Sequence, residues 1–268
     1  LKIPYEDGRL KEVILGEGAD KNLEAISAFS ASNIGNYYIS TKFAKSKESE
    51  IYKAWAWGNY KYQSKSKKNL LYVKEQKELE FLTFYSDCIN FSRDLINSPA
   101  NKLNPSTYYS KIKNNNLFKS FNFIDYTEKE INSNFPLTCA VGKSSSSKPK
   151  VIEITNRKLS KKDKPLVIIG KGVTFDTGGV NIKPGTSMRN MKKDMGGSAI
   201  AISLFLLANY FLKKTKIVLI APIAENAISS KSMRPGDVYS SVSGKSVEIA
   251  HTDAEGRLLL ADAIEKAS

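Results

Sequence analysis

Three short segments of this 268-residue chain carry acidic and basic side chains whose types and spacing suit metal binding. The segments are GKGVTFDTGG (170–179), NIKPGTSMRNMKKDMGG (181–197) and HTDAEGR (251–257), and their candidate site residues are Lys171, Asp176, Lys183, Asp194, Asp253, Glu255 and Arg257. Carboxylates that lie close together repel one another unless cations neutralise them. Oxygen ligands suit Mg²⁺ and Mn²⁺, and Zn²⁺ also accepts nitrogen. The segments predict two divalent ions about 3.5–4 Å apart, a pair that can generate hydroxide at neutral pH.

Apolar segments with strand and helix patterns precede or separate these polar residues. PLVIIG (165–170), TKIVLIAPIAEN (215–226) and SVEIA (246–250) have the pattern of strands, and GGSAIAISLFLLANYF (196–211) that of a helix. Strand, helix and strand in this order predict an α/β domain with a mostly parallel sheet flanked by helices. Such sheets bind ligands beyond the carboxyl ends of their strands, so we expect the acids to meet there.

The pattern changes along the chain predict three parts. Residues 1–69 alternate strand-like and helix-like pieces, which predicts a smaller N-terminal α/β domain ending in the polar segment QSKSKKN (63–69). Residues 70–96 have helical spacing of apolar positions and would link the two domains. Residues 97–268 would form the larger domain, which contains the three polar segments.

Composition excludes several classes of protein. Cys88 and Cys139 are too few for a disulfide framework or a thiolate zinc site, so we expect two reduced structural thiols. No apolar run approaches the roughly 20 residues that span a bilayer, and the first residues lack a secretory signal pattern, which favours a cytoplasmic protein without membrane contact. The net charge of +14 is spread along the chain, as in a solvated basic surface.

Each polar element also has a simpler interpretation. Lys171 alone could be a solvent-facing loop lysine, and the acids of DAEGR could favour a helix N-terminus through the helix dipole. GKGVTFDTGG matches neither the P-loop nor the dinucleotide fingerprint. Only the conjunction of the three segments favours a metal site.

That conjunction resembles the leucyl aminopeptidase family, the M17-type dinuclear metallo-aminopeptidases. The resemblance is carried by GKGVTFDTGGVNIKP, MKKDMGGSA and TDAEGRLLLADA, with supporting segments such as PIAENAISSKSMRPGD in the right order. It covers roughly residues 70–268 and implies removal of the N-terminal residue from peptides. By this likeness Asp176 and Glu255 would each bridge two ions, Lys171 and Asp194 would complete one ion site, and Asp253 the other.

The resemblance also assigns the remaining polar groups. Lys183 would stabilise the developing oxyanion as an ammonium, and Arg257 would hold a bicarbonate that relays the proton, since a guanidinium cannot act as a base. Met191 would line the pocket for the first substrate residue. His251 stands where the family usually has Asn. It could donate a hydrogen bond beside Asp253, contact a metal itself or have no role in the site, and we favour the first of these.

Two rival functions stay open. Some members of the family bind DNA, for which a basic chain would supply phosphate contacts, and a non-catalytic scaffold is the other rival. The family likeness further implies a homo-hexamer. The chain begins without Met and ends inside a helical pattern, so we expect a segment of a longer protein that lacks the C-terminal part of the family.

Overall fold

The computed structural model describes residues 2–4, 10–13, 23–32, 35–64, 69–160 and 162–268. The chain divides into two compact units, Leu1–Asn90 and Phe91–Ser268. This boundary falls inside a 22-residue helix, Gln76–Asn97. Of the predicted linker 63–69, residues 65–68 lie outside the described part of the chain.

The first unit combines short strands with helices. Its elements are β1 (Lys2–Pro4), β2 (Leu10–Val13), α1 (Leu23–Ser32), β3 (Asn36–Tyr37), α2 (Lys45–Gly58), β4 (Leu70–Leu71) and the start of α3 (Gln76–Asn97). β1 and β2 pair antiparallel, and β3 and β4 pair parallel. The helical pattern predicted from residue 70 begins only at Gln76, because Leu70 and Leu71 pair with β3.

Helices α1 and α2 pack closely in the first unit. Ile26 of α1 and Ile51 and Trp55 of α2 share one apolar cluster. A β-carbon on Gly58 would lie 1.9 Å from the Ser27 carbonyl oxygen, so only glycine permits this approach of the two backbones.

The second unit contains the three polar segments. Its remaining elements are α4 (Pro105–Lys113), β5 (Asn122–Ile124), α5 (Glu128–Asn134), α6 (Pro136–Gly142), β6 (Lys150–Thr155), β7 (Leu166–Ile169), β8 (Gly172–Asp176), α7 (Gly185–Met188), α8 (Gly196–Phe211), β9 (Ile217–Asn226), β10 (Val238–Ser240), β11 (Ser246–Glu248) and α9 (Gly256–Ala267). The predicted strands at 165–170 and 215–226 and the predicted helix at 196–211 are therefore present.

A five-stranded sheet lies at the centre of this unit, in the order β5-β6-β9-β7 with β8 also paired to β9. β7 and β8 run parallel to β9, whereas β6 runs antiparallel to it and β5 antiparallel to β6. The α/β class is confirmed. The parallel strand β8 lies in the first polar segment and leads into the second, whereas the third segment follows β11, which pairs antiparallel with β10 in a separate two-stranded sheet. Nine of the ten residues of β9 are buried, which is typical of a strand covered on both faces.

The hydrogen-bond ladder between β9 and its parallel neighbours is interrupted between β7 and β8. The Gly170 N–H donates to the Ile220 carbonyl at 3.1 Å, which orients residue 220 toward β7. Alternate residues of a strand direct their backbone groups to the same side, so Pro222 would face this side too, and proline has no N–H. The ladder is therefore broken where Lys171 separates β7 from β8.

Helix α8 covers the sheet. Phe205 and Leu206 of α8 are almost fully buried. Contrary to our expectation, the 21-residue segment Met191–Phe211 is long and apolar enough for a membrane span by length and composition alone. Half of its most apolar stretch is buried within the protein, as in the core helix of a globular unit, so the match is weak evidence of a span.

The two cysteines are not joined by a disulfide, as predicted. Burial raises the pKa of the Cys88 thiol to about 12 and that of the Cys139 thiol to about 11. Both thiols are therefore poor nucleophiles at neutral pH.

Candidate metal centre

Three carboxylates meet beyond the carboxyl end of β8. Asp176 is the last residue of β8, Asp253 lies in the 3-10 turn Thr252–Ala254, and Glu255 directly precedes α9. One oxygen from each lies within 4.8 Å of the others. Asp176 and Glu255 are 2% and 1% exposed, so their charges are almost entirely removed from water.

Lys171 brings a fourth carboxylate into the group. Its Nζ lies 2.8 Å from Asp194 and 2.9 Å from Glu255 Oε1. Lys171 stands at the break between β7 and β8, and its carbonyl accepts a hydrogen bond from the Ser198 N–H of α8 at 2.8 Å. This bond holds the strand break against the helix that begins two residues after Asp194.

Lys183 occupies the other side of the group. Its Nζ lies 2.9 Å from Asp176 Oδ2 and also forms an ion pair with Asp253. The loop that carries Lys183 leaves β8 through Gly178 and Gly179, whose φ angles are +87° and +67°. This left-handed conformation favours glycine and turns the chain back toward Asp176.

The pKa directions reflect burial and mutual pairing. Burial would lower the pKa of the Lys171 ammonium, but Asp194 and Glu255 raise it overall. The pKa of Lys183 is raised in the same way, against burial, by Asp253 and Asp176.

The carboxyl groups differ from one another in the direction of their pKa shift. Burial raises the pKa of Asp194 and of Glu255 despite their contacts with Lys171. For Asp176 burial acts in the same direction, but Lys183, the Gly178 N–H and Asn226 lower its pKa overall. For Asp194 and Glu255, the contacts with Lys171 therefore offset only part of the free-energy cost of ionising a buried carboxyl group.

The site fits divalent cations. Four ionised carboxylates against two ammonium groups leave a formal charge of −2, since 2 − 4 = −2. Among the described residues, Glu255 Oε2, Asp194 Oδ2 and Asp253 Oδ1 are buried and lack a hydrogen-bond donor of suitable geometry, although a lysine contacts the latter two as an ion pair. Buried carboxylate oxygens without donors are costly, and a metal ion would satisfy them.

Two neutral residues that sequence reasoning missed hold this group together. Asn226, the last residue of β9, donates through Nδ2 to Asp176 Oδ1 at 2.8 Å and to the Thr252 carbonyl at 3.1 Å. Thr252 Oγ1 donates to the Gly178 carbonyl and accepts from the Asn181 N–H at 2.9 Å. The sequence signal for Asn226 was its place as a polar residue at the end of a buried strand.

The other predicted residues lie at the margin of this group. Met191 is half-buried, in the 3-10 turn Met191–Lys193, and its carbonyl accepts from the Asp194 N–H at 3.2 Å. Arg257 is exposed in the first turn of α9. His251 is exposed and caps the turn, because its Nδ1 accepts from the Asp253 N–H at 3.2 Å. In this contact His251 is the acceptor, and its role as a donor stays a prediction.

Sequence comparison identifies relatives of this chain. Residues 90–268 match the profile of the cytosol aminopeptidase family, catalytic domain, or peptidase M17. A probable cytosol aminopeptidase of Corynebacterium glutamicum is 42% identical over 184 residues, which are 68% of this chain and 36% of the relative. One of Corynebacterium diphtheriae is 32% identical over 291 aligned positions, covering 100% of this chain and 58% of the relative.

Solved structures agree with this assignment. The cytosol aminopeptidase of Coxiella burnetii is similar over 100% of this chain and 59% of that chain, with a TM-score of 0.88 and 31% identity. The bottromycin maturation enzyme BotP in complex with Mn is similar over 100% of this chain and 62% of that chain, with a TM-score of 0.84 and 26% identity. The chain spans less than two thirds of these relatives' length. It belongs to the cytosol aminopeptidase family, whose catalytic-domain profile it matches from residue 90 to residue 268.

Proposed function

We propose that the protein of which this chain is part is an aminopeptidase that hydrolyses the N-terminal residue of peptides, with leucyl-type substrates among them. The observation that carries the proposal is the group of three buried or half-buried carboxylates within 4.8 Å of one another. Among the described residues, Glu255 Oε2 and Asp253 Oδ1 of this group are buried and lack a hydrogen-bond donor of suitable geometry, although Lys183 pairs with Asp253. Membership of the cytosol aminopeptidase family supports the same reaction.

The donor set suits a pair of Zn²⁺ or Mn²⁺ ions, with Mg²⁺ as the third candidate. The proposed ligands are Lys171, Asp176, Asp194, Asp253 and Glu255. When bound, the ions would supply water activation at neutral pH and polarisation of the substrate carbonyl. Lys171 would act as a ligand only as a neutral amine, so metal binding competes with its proton. The Mn complex of BotP supports a divalent metal.

Lys183, Arg257 and Met191 would act on the substrate side. The Lys183 ammonium is held by two carboxylates and can stabilise negative charge on the carbonyl oxygen of the scissile bond. The planar guanidinium of Arg257 suits a bicarbonate, which would carry the proton that arginine cannot accept. Met191, half-buried three residues before Asp194, would contact the side chain of the first residue.

The assembly and location follow from family likeness. We propose a homo-hexamer of the whole protein acting on peptides in the cytoplasm, in keeping with the name of its cytosol aminopeptidase relatives. The presence of all five candidate ligands, together with Lys183 and Arg257, argues against a scaffold without catalysis. No feature of the described residues specifically favours DNA as the partner.

Hydrolysis of Leu-p-nitroanilide tests the proposal. We expect activity with added Mn²⁺ or Zn²⁺ and near-complete loss in Asp194→Ala. Asp125→Ala is the matched control, because Asp125 is an exposed acid of the same unit whose partners, Lys113 and Tyr109, are not candidate ligands. Equal activity of wild type and Asp194→Ala would refute the assignment. Salt-sensitive DNA binding by a protein without hydrolysis would favour the rival function.

A further inference from the structure

The two loops that carry the candidate ligands meet at one buried amide. Asn226 is 2% exposed and is the last residue of β9. Its Nδ2 donates both to Asp176 Oδ1, at the end of β8, and to the carbonyl of Thr252, the neighbour of Asp253. One planar group thus fixes the positions of two carboxylate-bearing segments that are far apart in sequence.

The backbone of Asn226 reinforces this contact. Its carbonyl accepts from the Thr177 N–H at 3.0 Å and from Thr177 Oγ1 at 2.8 Å. Thr177, which begins the loop containing Gly178 and Gly179, is therefore bound to the same residue as Asp176. Because β9 is the central strand, this point is anchored in the most buried part of the sheet.

We propose that Asn226 is a positioning residue for the metal centre. It holds the Asp176 carboxylate in one orientation and keeps the Thr252–Glu255 segment at a fixed separation from it. Asn226 contacts neither metal nor substrate itself. The inference rests on the proposed function, because it assumes that the carboxylates bind divalent ions.

The chemistry of the amide explains the choice of residue. A neutral N–H donor orients a carboxylate without adding a charge to a group that already carries a formal −2. Partners of metal ligands that fix ligand orientation typically change metal affinity 10–100-fold when removed. Loss of Asn226 would also leave the buried Thr252 carbonyl without this donor.

Asn156 offers a matched control at the opposite end of β9. Its Oδ1 accepts from the Ile217 N–H at 2.9 Å, and its Nδ2 donates to the Thr215 carbonyl at 2.9 Å. Asn156 therefore also ties a loop to the sheet through a side-chain amide. It contacts none of the candidate ligands in these bonds.

The test compares Mn²⁺ affinity of the full chain in wild type, Asn226→Ala and Asn156→Ala, by calorimetry and by the electron paramagnetic resonance signal of free Mn²⁺. We expect the dissociation constant to rise about 10–100-fold in Asn226→Ala and to stay within a few-fold of wild type in Asn156→Ala. Hydrogen exchange of the metal-free proteins gives a second measurement, in which residues 176–183 exchange faster only in Asn226→Ala.

Each outcome has a defined meaning. If Asn226→Ala does not fold, Asn226→Ser, whose hydroxyl is too short to reach both partners, is expected to show the same weakening. Wild-type affinity in folded Asn226→Ala or Asn226→Ser, or equal weakening in Asn156→Ala, overturns the inference and leaves the proposed function intact. A wild-type chain that binds neither Mn²⁺ nor Zn²⁺ in calorimetry overturns both.

Discussion

Gly256 and Lys171 lie so close that the site has no room for a side chain at position 256. A β-carbon built there would lie 2.4 Å from Lys171 Cε and 2.7 Å from its Nζ. Gly256 directly follows Glu255, which Lys171 contacts at 2.9 Å. The glycine therefore gives the lysine access to the carboxylates, a role that differs from a turn-forming one.

Gly256→Ala should displace Lys171 from Asp194 and Glu255. A shift of about 1 Å in a catalytic group can reduce activity about 100-fold, and we expect a loss of this order in kcat/KM together with weaker Mn²⁺ binding. Gly185→Ala is the control, because a β-carbon there meets nothing within 4 Å. Wild-type activity in Gly256→Ala would show that Lys171 moves aside without consequence.

Thr252→Val should destabilise the protein more than Thr252→Ser. Valine keeps the volume of the fully buried side chain but leaves the Gly178 carbonyl and the Asn181 N–H without the hydroxyl that pairs with them. An unsatisfied buried group costs about 1–3 kcal/mol, whereas serine loses mainly one methyl group, about 0.8 kcal/mol. Urea unfolding of both variants measures the difference. A valine variant as stable as wild type would contradict this account.

Metal removal should lower thermal stability if the ions bind the folded site. At a Mn²⁺ concentration of about 100 times the dissociation constant, binding would add about 2.7 kcal/mol to the free energy of unfolding. We therefore expect EDTA to lower the Tm of wild type and added Mn²⁺ to restore it. Asp194→Ala should show a smaller change, and an identical response of the two proteins would place the ion elsewhere.

The Cys139 thiol should react slowly and with a steep pH dependence. Since burial raises its pKa to about 11, the thiolate is a minor species at pH 8 and its fraction rises about tenfold for each pH unit. In Cys88→Ser, reaction of Cys139 with a disulfide reagent should be about tenfold faster at pH 9 than at pH 8. The protein unfolded in urea should react faster at both pH values and depend less on pH. A fast, pH-independent reaction of the folded protein would contradict the buried position.

The proximity of the candidate ligands could be predicted from sequence because these residues lie in three contiguous segments, each next to a strand or helix with a clear pattern. Asp176 ends a strand and Glu255 begins a helix, so the elements themselves dictate their positions. The roles of Asn226 and Thr252 could not be predicted in the same way. A neutral amide or hydroxyl acts through the partner it reaches, and that partner is set by tertiary packing.

The direction of the strands was only partly predictable. Strand, helix and strand correctly indicated the parallel pairing of β7 with β9. β6 runs antiparallel to β9, and the apolar pattern of a buried strand is the same in either direction. The start of α3 was also missed, since Leu70 and Leu71 fit a helical pattern and join β3 only in the folded chain.

The hydrogen bond from the Ser198 N–H to the Lys171 carbonyl couples α8 to the interrupted edge of the sheet. Asp194 stands just before this helix, and Lys171 stands on the strand side of the same bond. A small rotation of α8 would thus alter the 2.8 Å contact between Lys171 Nζ and the Asp194 carboxylate. If these two residues hold a metal ion as proposed, substitutions on the sheet-facing side of α8 would change the ion preference of the site without touching a candidate ligand.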